Sequence, residues 1–207
     1  MVKELLYYSG ITVIVAIVSF SFKPFYYEES NGFFAGGNQE SSLAADYVNF
    51  RIPFTGKSFT GFKEAIGFKE SQGRYKTINS FGYLGKYQFG IDALNAMGIN
   101  NTIAFLNNPK LQEIAFRVLL SKNKSILQNE IEEYEGKVIN GITITESGIL
   151  AAAHLGGPGS VKKYLKSNGK RRIKDNYGTS LRSYIEAFGG YDTSSIEVDA
   201  NAKVCLE

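Results

Sequence analysis

The sequence predicts a mainly α domain with one small β-hairpin, covering residues 59–191 of the 207-residue chain. Three observations lead to this prediction. Apolar residues recur at helical spacing in several segments. Glycine, proline and capping residues separate these segments from one another. One stretch alternates between apolar and polar residues around Asn140-Gly141, a pair that favours a two-residue hairpin turn.

The first predicted helix covers residues 59–71, where Phe62 and Ile66 fall on one apolar stripe at 100° per residue. A short second helix is expected over residues 91–97, because a glycine closes it. The longest predicted helix opens at Asn108-Pro109, since asparagine is a good N-cap and proline a good first helical residue. The helical pattern resumes at Ile126 and ends at Gly136.

Three more helices are expected after the hairpin. Thr145 is predicted to cap a helix that ends at Gly156-Gly157-Pro158. A further helix is predicted over residues 161–166. The last one begins after Thr179 or Ser180 and stops at a pair of glycines.

Glu70, in the last turn of the first predicted helix, is the candidate catalytic residue. It falls at the edge of the apolar stripe, four residues after Ile66, whereas Glu64 points the opposite way. A carboxyl group beside an apolar face loses hydration, which disfavours its ionised form. The general acid of a glycosidase has to be protonated to donate to a departing glycosidic oxygen. The alternative is an ordinary surface residue in a last helical turn.

A segment rich in glycine and tyrosine follows Glu70-Ser71 and contains Gly82-Tyr83-Leu84-Gly85-Lys86-Tyr87-Gln88. Its glycines permit tight turns, and its tyrosines offer faces on which sugar rings can stack. Farther along, Ala152-Ala153-His154-Leu155-Gly156-Gly157-Pro158-Gly159 closes a helix rich in small residues. In this order the motifs resemble the catalytic domain of the lysozyme-like superfamily, and in particular the lytic transglycosylases. The resemblance covers about residues 59–190.

The resemblance implies a lysozyme-like helical fold and cleavage of the β-1,4 bond between N-acetylmuramic acid and N-acetylglucosamine in peptidoglycan. Glu70 would protonate the glycosidic oxygen. The predicted substrate-binding residues are Ser71, Tyr83, Tyr87, Gln88 and His154. His154 stands where the family usually has asparagine, and Ala153 where it usually has tyrosine. Another tyrosine, Tyr83 or Tyr87, is therefore expected near Glu70.

Structural alternatives exist for two of these residues. For His154 the alternative is a structural histidine in a close helix–helix contact, which the neighbouring alanines permit. For Gln88 the alternative is a surface polar residue that follows a turn.

Glycoside hydrolysis requires a second carboxylate that activates water or attacks the sugar. Asp92, Glu146, Asp175 and Asp192 are available, and none belongs to a recognisable second-carboxylate motif. A lytic transglycosylase needs only one acid, because the acetamido group and 6-hydroxyl of the substrate complete the reaction. The sequence therefore favours a lytic transglycosylase. The alternatives are a hydrolytic muramidase or chitinase-like lysozyme, and a non-catalytic glycan-binding protein of the cell envelope.

Cys205 is the single cysteine of the chain and His154 the single histidine. These counts exclude an intrachain disulfide and a cysteine metal site. They also argue against a His-rich metal site and a Ser-His-Asp triad. No metal or cofactor is expected.

Residues 5–22 form an uncharged, largely apolar run. Its strongly apolar part is short, which is typical of a secretory signal, while the full run just reaches the length of a membrane span. Residues 1–23 are therefore predicted to be a signal peptide or a signal-anchor that holds the chain to the membrane if it is not cleaved. The protein is expected in the cell envelope or outside the cell. Residues 24–58 are predicted to be an aromatic-rich spacer, and residues 192–207 a polar C-terminal tail.

Residues 59–190 contain 18 Lys and Arg against 11 Asp and Glu. A basic exported domain is attracted to anionic polymers, so peptidoglycan glycan strands are the predicted partner. The densest basic run is Lys170-Arg171-Arg172 with Lys174, which is either a solvated loop or a nucleic-acid contact. The export signal argues against nucleic acid as a partner.

Overall fold

The computed structural model describes residues 56–205. The predicted signal segment and nearly all of the predicted spacer therefore lie outside the described residues. Within residues 56–205, no helix is both long and apolar enough to cross a membrane.

The described part of the chain is mainly helical with one two-stranded antiparallel sheet, which confirms the predicted mainly α fold class. The helices are α1 (Phe59–Ser71), α2 (Ile91–Ala96), α3 (Thr102–Leu106), α4 (Pro109–Ile126), α5 (Gln128–Tyr134), α6 (Glu146–Gly156), α7 (Pro158–Lys166) and α8 (Leu181–Ala187). The strands, β1 (Val138–Ile139) and β2 (Ile142–Thr143), lie between α5 and α6.

Side-chain caps begin three helices at predicted positions. The Asn108 side chain accepts a backbone hydrogen bond at 3.0 Å, and Pro109 is the first residue of α4. Thr145 caps α6 in the same way at 3.2 Å, and Ser180 caps α8 at 3.1 Å. These bonds pair backbone donors that the first turn of a helix leaves without an intrahelical partner.

The hairpin forms where the sequence predicts it. The antiparallel pairs are Val138 with Thr143 and Ile139 with Ile142. Asn140 and Gly141 have φ values of 50° and 80°. Left-handed conformations at both central residues are the mark of a type I′ turn, which matches the twist of the two strands.

Two elements differ from the prediction. α3 was not predicted, because its five residues are too few to display an apolar period. Its one local signal is Asn101, whose side chain caps it at 2.9 Å. α7 begins at Pro158 rather than at Val161, because proline is suited to the first position of a helix.

α6 lies in the middle of the core and packs against α4, α7 and α8. Its residues Ile149–Ala152 are fully buried. A Cβ atom at Gly148 would lie 2.7 Å from the backbone oxygen of Ile185 in α8. The small residues of α6 therefore allow α8 to approach closely.

The C-terminal segment differs from the predicted polar tail. Ile196 is buried in the main hydrophobic core. Lys122 of α4 donates to the backbone oxygen of Ala200 at 2.9 Å, and Lys124 donates to that of Ile196 at 3.1 Å. Residues 192–205 therefore belong to the domain, since cations of α4 bind their backbone.

Candidate active site

Glu70 lies at the C-terminal end of α1, on the wall of a cleft of about 620 Å³. Its side chain is 16% exposed. Other residues that line the cleft include Asn79, Phe81, Tyr83, Gln88, Asn123, His154 and Tyr177. The lining therefore combines amide groups and aromatic rings around the Glu70 carboxyl group.

Tyr184 of α8 forms a short hydrogen bond to Glu70. Its hydroxyl donates to Glu70 Oε1 at 2.6 Å. Burial, the negative charge of Glu70 and the hydrogen bond to it raise the pKa of Tyr184 far above its ordinary value. The hydroxyl therefore stays protonated at physiological pH and is a permanent donor to Oε1. No residue between 56 and 205 donates to the other carboxyl oxygen, Oε2.

His154, in the last turn of α6, holds the backbone beside Glu70. Its Nε2 lies 2.9 Å from the carbonyl oxygen of Tyr87, so Nε2 carries the proton that it donates. The same atom is 3.8 Å from Glu70 Oε1. Burial lowers the pKa of His154, although the charge of Glu70 and the bond to Tyr87 oppose this effect. His154 is therefore neutral at neutral pH. In addition, no Lys or Arg nitrogen in residues 56–205 lies within 4.0 Å of the Glu70 carboxyl oxygens.

Asn123 of α4 lies in the cleft wall with a buried, unpaired amide. The residue is 3% exposed, and its Nδ2 has almost no accessible surface and no hydrogen-bond partner within the described residues. A buried amide donor without a protein partner is costly, so it requires a water molecule or another polar group beside it. Sequence analysis did not identify this residue.

Ser71 connects two parts of the cleft loop, which comprises residues 72–90. The Ser71 hydroxyl donates to the backbone oxygen of Lys86 at 2.8 Å and accepts from Arg74 N at 3.0 Å. Its side chain is buried. The structure therefore gives Ser71 a structural position, in contrast to the predicted contact with substrate, because its hydroxyl is occupied in connecting the two ends of the loop.

Gly85 brings the cleft loop against α4. Its φ value is 75°, and a Cβ atom there would lie 2.2 Å from Gln112 Oε1. The buried Gln112 side chain accepts from Lys86 N at 2.8 Å and donates to the backbone oxygen of Tyr75 at 3.0 Å. Both the left-handed backbone and the close approach therefore require glycine at this position.

A charged cluster connects α1, the cleft loop and α4. Its members are Lys63, Glu64, Tyr75, Lys86, Tyr87 and Glu113. Lys86 is 2% exposed, and its Nζ donates at 2.8 Å to Glu64 Oε1 and to Glu113 Oε1. Each carboxyl oxygen of Glu113 accepts two hydrogen bonds.

The two central charges of this cluster stabilise each other. Burial opposes the ionisation of Glu113, but hydrogen bonds from its lysine and tyrosine neighbours outweigh burial and lower the pKa of Glu113 to about 2. Burial also opposes the charge of Lys86, but hydrogen bonds to Glu113 and Glu64 raise the pKa of Lys86 to about 12. Both groups are therefore charged at neutral pH, and the cluster fixes the loop that carries the cleft residues.

The structure brings Tyr83 and Gln88 to the cleft but places Tyr87 elsewhere. The Tyr87 ring is fully buried and stacks on Phe116 with ring centroids 4.0 Å apart. It is therefore not available to stack on a sugar, in contrast to the prediction. The phenol beside Glu70 comes instead from Tyr184 of the last helix.

Two loops meet across the cleft through Tyr177. Its hydroxyl lies 3.0 Å from Ser80 Oγ, and its ring packs edge-on against Phe81 with centroids 4.7 Å apart. Phe81 and Tyr177 remain 53% and 58% exposed. They offer aromatic surface to a ligand. Sequence analysis did not predict their contact, because the two residues are far apart in the chain.

Two of the four candidate second carboxylates lie at the cleft, namely Asp92 and Asp175. Glu146 instead pairs with Lys124 at 2.8 Å. Asp192 is outside the cleft lining and accepts hydrogen bonds from Ser194. After burial and Glu70, the charge of Asp175 also contributes to the raised pKa of Tyr184. Asp175 therefore acts electrostatically on Tyr184.

Among residues 56–205, no group of three or more His, Cys, Asp and Glu is arranged to hold a metal ion. Comparisons with known protein families, curated proteins and solved structures found no match for this chain. Its function has therefore to be inferred from the residues of the cleft.

Proposed function

We propose that the chain cleaves the β-1,4 bond between N-acetylmuramic acid and N-acetylglucosamine in peptidoglycan, as a lysozyme-like lytic transglycosylase whose single acid is Glu70. The observation that carries this proposal is the Glu70–Tyr184 pair in the wall of the cleft. Tyr184 binds one carboxyl oxygen and leaves the other for the substrate. The order of the motifs in the sequence supports the same function.

Glu70 acts first as an acid and then as a base in this mechanism. Because Tyr184 donates to Oε1, the transferable proton is carried on Oε2 and passes to the glycosidic oxygen as the bond to C1 breaks. The acetamido group of the substrate stabilises the positive charge that develops at C1. The Glu70 carboxylate then takes the proton of the 6-hydroxyl, whose oxygen bonds to C1 and closes an anhydro ring. Tyr184 stabilises the carboxylate between the two steps.

The lining of the cleft suits a sugar. The exposed rings of Phe81 and Tyr177 provide surfaces for stacking against pyranose rings. The neutral His154 binds the protein backbone, so its role is to hold Tyr87 and the cleft loop in place.

Hydrolysis is the second candidate, and the position of Asp175 favours it. This carboxylate lines the cleft and its charge acts on Tyr184. Its Oδ1 accepts from the backbone nitrogens of Tyr177 at 3.0 Å and Thr179 at 2.6 Å. Its Oδ2 is therefore the atom that would activate a water molecule in a hydrolase.

Mass spectrometry of the soluble products formed from peptidoglycan separates the two reactions. We expect anhydromuramyl ends, because Glu70 closes the ring without a second carboxylate. Open reducing ends would assign hydrolysis instead. Retention on peptidoglycan without any product would identify a glycan-binding protein.

Asp175→Asn tests whether hydrolysis through Asp175 contributes to cleavage. Asparagine retains an Oδ1 that accepts the two backbone hydrogen bonds, so the loop is preserved. A transglycosylase is expected to keep its rate within about tenfold, whereas a hydrolase would lose about 10² to 10⁴-fold. Asp92→Asn removes the other candidate carboxylate at the cleft, so a loss of that size in Asp92→Asn alone would assign the hydrolytic role to Asp92.

Tyr184→Phe is expected to lower glycan cleavage by about tenfold to a hundredfold while changing the free energy of unfolding by only about 1 kcal/mol. Phenylalanine retains the buried ring but leaves Glu70 Oε1 without its donor. Initial rates and thermal unfolding measure the two quantities. Tyr191→Phe, outside the cleft lining, is the control. Equal rates in both variants would remove Tyr184 from the mechanism.

A further inference from the structure

A second pocket, of about 690 Å³, is strongly basic. Five of its ten lining residues are cationic, and none is Asp or Glu. The cationic residues are Lys170, Arg171, Arg172, Lys174 and Arg182. We call this the basic pocket.

The basic pocket has a framework that is built from three parts of the fold. The Asn140 amide, in the hairpin turn, donates to Gly169 O at 3.1 Å, and Arg182 of α8 donates to Asn140 O at 3.2 Å. A Cβ atom at Gly169 would lie 2.3 Å from Asn140 Nδ2. The buried Tyr164 of α7 completes the lining. These contacts define the framework of the pocket, while its five cationic residues are exposed.

The cations of the basic pocket have no carboxylate partners in the described part of the chain. None of the ion pairs within residues 56–205 includes Lys170, Arg171, Arg172, Lys174 or Arg182. Like charges gathered around a concave surface repel one another and concentrate a positive potential there. A bound anion would relieve this repulsion, and arginine forks match carboxylate geometry.

One loop connects the basic pocket with the cleft. Lys174 and Ser180 form an antiparallel bridge, and Asp175 N donates to Thr179 O at 2.9 Å. The base of this small hairpin lines the basic pocket through Lys174 and Ser180, whereas its tip lines the cleft through residues 175–177. The residues that line the cleft therefore directly follow Lys174 of the basic pocket in the sequence.

We propose that the basic pocket binds carboxylate groups of the peptides that a peptidoglycan strand carries while the strand lies in the cleft. This inference rests on the proposed function, because it assigns the glycan to the cleft. Nucleic acid fits the pocket less well. Proteins that bind single-stranded nucleic acids combine a basic groove with aromatic rings on which bases stack, and the one aromatic ring of the basic pocket, Tyr164, is buried.

Binding is measured by retention of the full chain on glycan strands immobilised on beads, in a Glu70→Gln background that suppresses cleavage. Peptide-bearing strands are compared with strands stripped of their peptides by an amidase, which leaves only the lactyl carboxylate of each muramic acid, at about 0.15 M salt. We expect about tenfold tighter binding to the peptide-bearing form. Adding Arg171→Ala and Arg172→Ala should remove this difference.

Lys110→Ala with Lys203→Ala is the matched control, because it removes the same charge from exposed sites outside both pockets. This control should retain the preference for peptide-bearing material. Equal binding to intact and stripped material by the Glu70→Gln chain would overturn the proposal. Equal losses in the arginine and lysine pairs would overturn it too, since net charge alone would then explain the binding.

Calorimetric titration with soluble probes tests the pocket apart from any cleavage. Hexaglutamate should bind the full chain and lose about tenfold in affinity with Arg171→Ala and Arg172→Ala. Binding of polyphosphate or duplex DNA without binding of hexaglutamate would overturn the assignment. If the chain cuts no glycan but its arginines still select peptide-bearing material, the proposed function fails and the pocket stands.

Discussion

Glu70→Gln is expected to lower the rate of glycan cleavage by about 10³-fold, the size of effect that general acid catalysis supplies. Glutamine retains an Oε1 that can accept the Tyr184 hydroxyl, so the geometry of the pair is preserved. It has no acidic proton for the glycosidic oxygen and no carboxylate for the 6-hydroxyl. Both steps of the proposed mechanism are therefore lost in a variant of the same shape.

The measurement is the initial rate at which soluble fragments leave peptidoglycan, together with the melting temperature of each variant. The melting temperature should remain within about 4 °C, because the Tyr184 hydroxyl keeps an acceptor, although a neutral amide oxygen binds it less strongly than a carboxylate. Glu186→Gln is the control, since Glu186 is an exposed residue of the same helix as Tyr184. A rate unchanged by Glu70→Gln would show that another group is the acid.

Features that depend on neighbours in the sequence were predictable. α1 and the position of Glu70 follow from helical periodicity, and Asn108, Thr145 and Ser180 cap helices because their side chains reach backbone donors a few residues ahead. The hairpin follows from the Asn140-Gly141 pair and the alternation of apolar and polar residues around it. In each case the physical cause and its signal lie within one short segment.

Contacts between distant segments were not predictable in the same way. Tyr184 lies 114 residues from Glu70, and its apolar neighbours on α8 made it look like an ordinary core residue. Tyr83 and Tyr87 were assigned to the cleft, but Tyr87 turns inward to stack on Phe116. Only the packing of α8 on α6 decides which phenol reaches the carboxyl group.

The burial of the charged Lys86 was not predictable from the sequence either. In a run of glycines and tyrosines it resembles a surface residue, because lysine is rarely buried without a partner. Its partners, Glu64 and Glu113, lie on α1 and α4. Since no local pattern connects those helices with the cleft loop, the charged cluster became visible only in the structure.

Glu113→Ala is expected to destabilise the domain by about 3–5 kcal/mol, the usual cost of removing one partner from a buried charge network. Lys86 would keep only Glu64 as a charged partner, and that side chain is 50% exposed. The hydroxyls of Tyr75 and Tyr87 would lose their acceptor as well. The melting temperature should fall by about 10 °C, and Glu132→Ala, an exposed glutamate of α5, is the control.

The pH dependence of stability tests the same cluster through its charges. The pKa of Glu113 is lowered from 4.5 to about 2, so its contribution is fully present above pH 4.5 and is lost as the pH falls towards 2. The pKa of Lys86 is raised from 10.5 to about 12, so its contribution is fully present below pH 10.5 and is lost as the pH rises towards 12. Between pH 4.5 and 2, denaturant unfolding should show the wild-type chain losing up to about 3 kcal/mol more than Glu113→Gln. If acidification lowered the free energy of unfolding equally in the two proteins, Glu113 would not stabilise the fold through its charge.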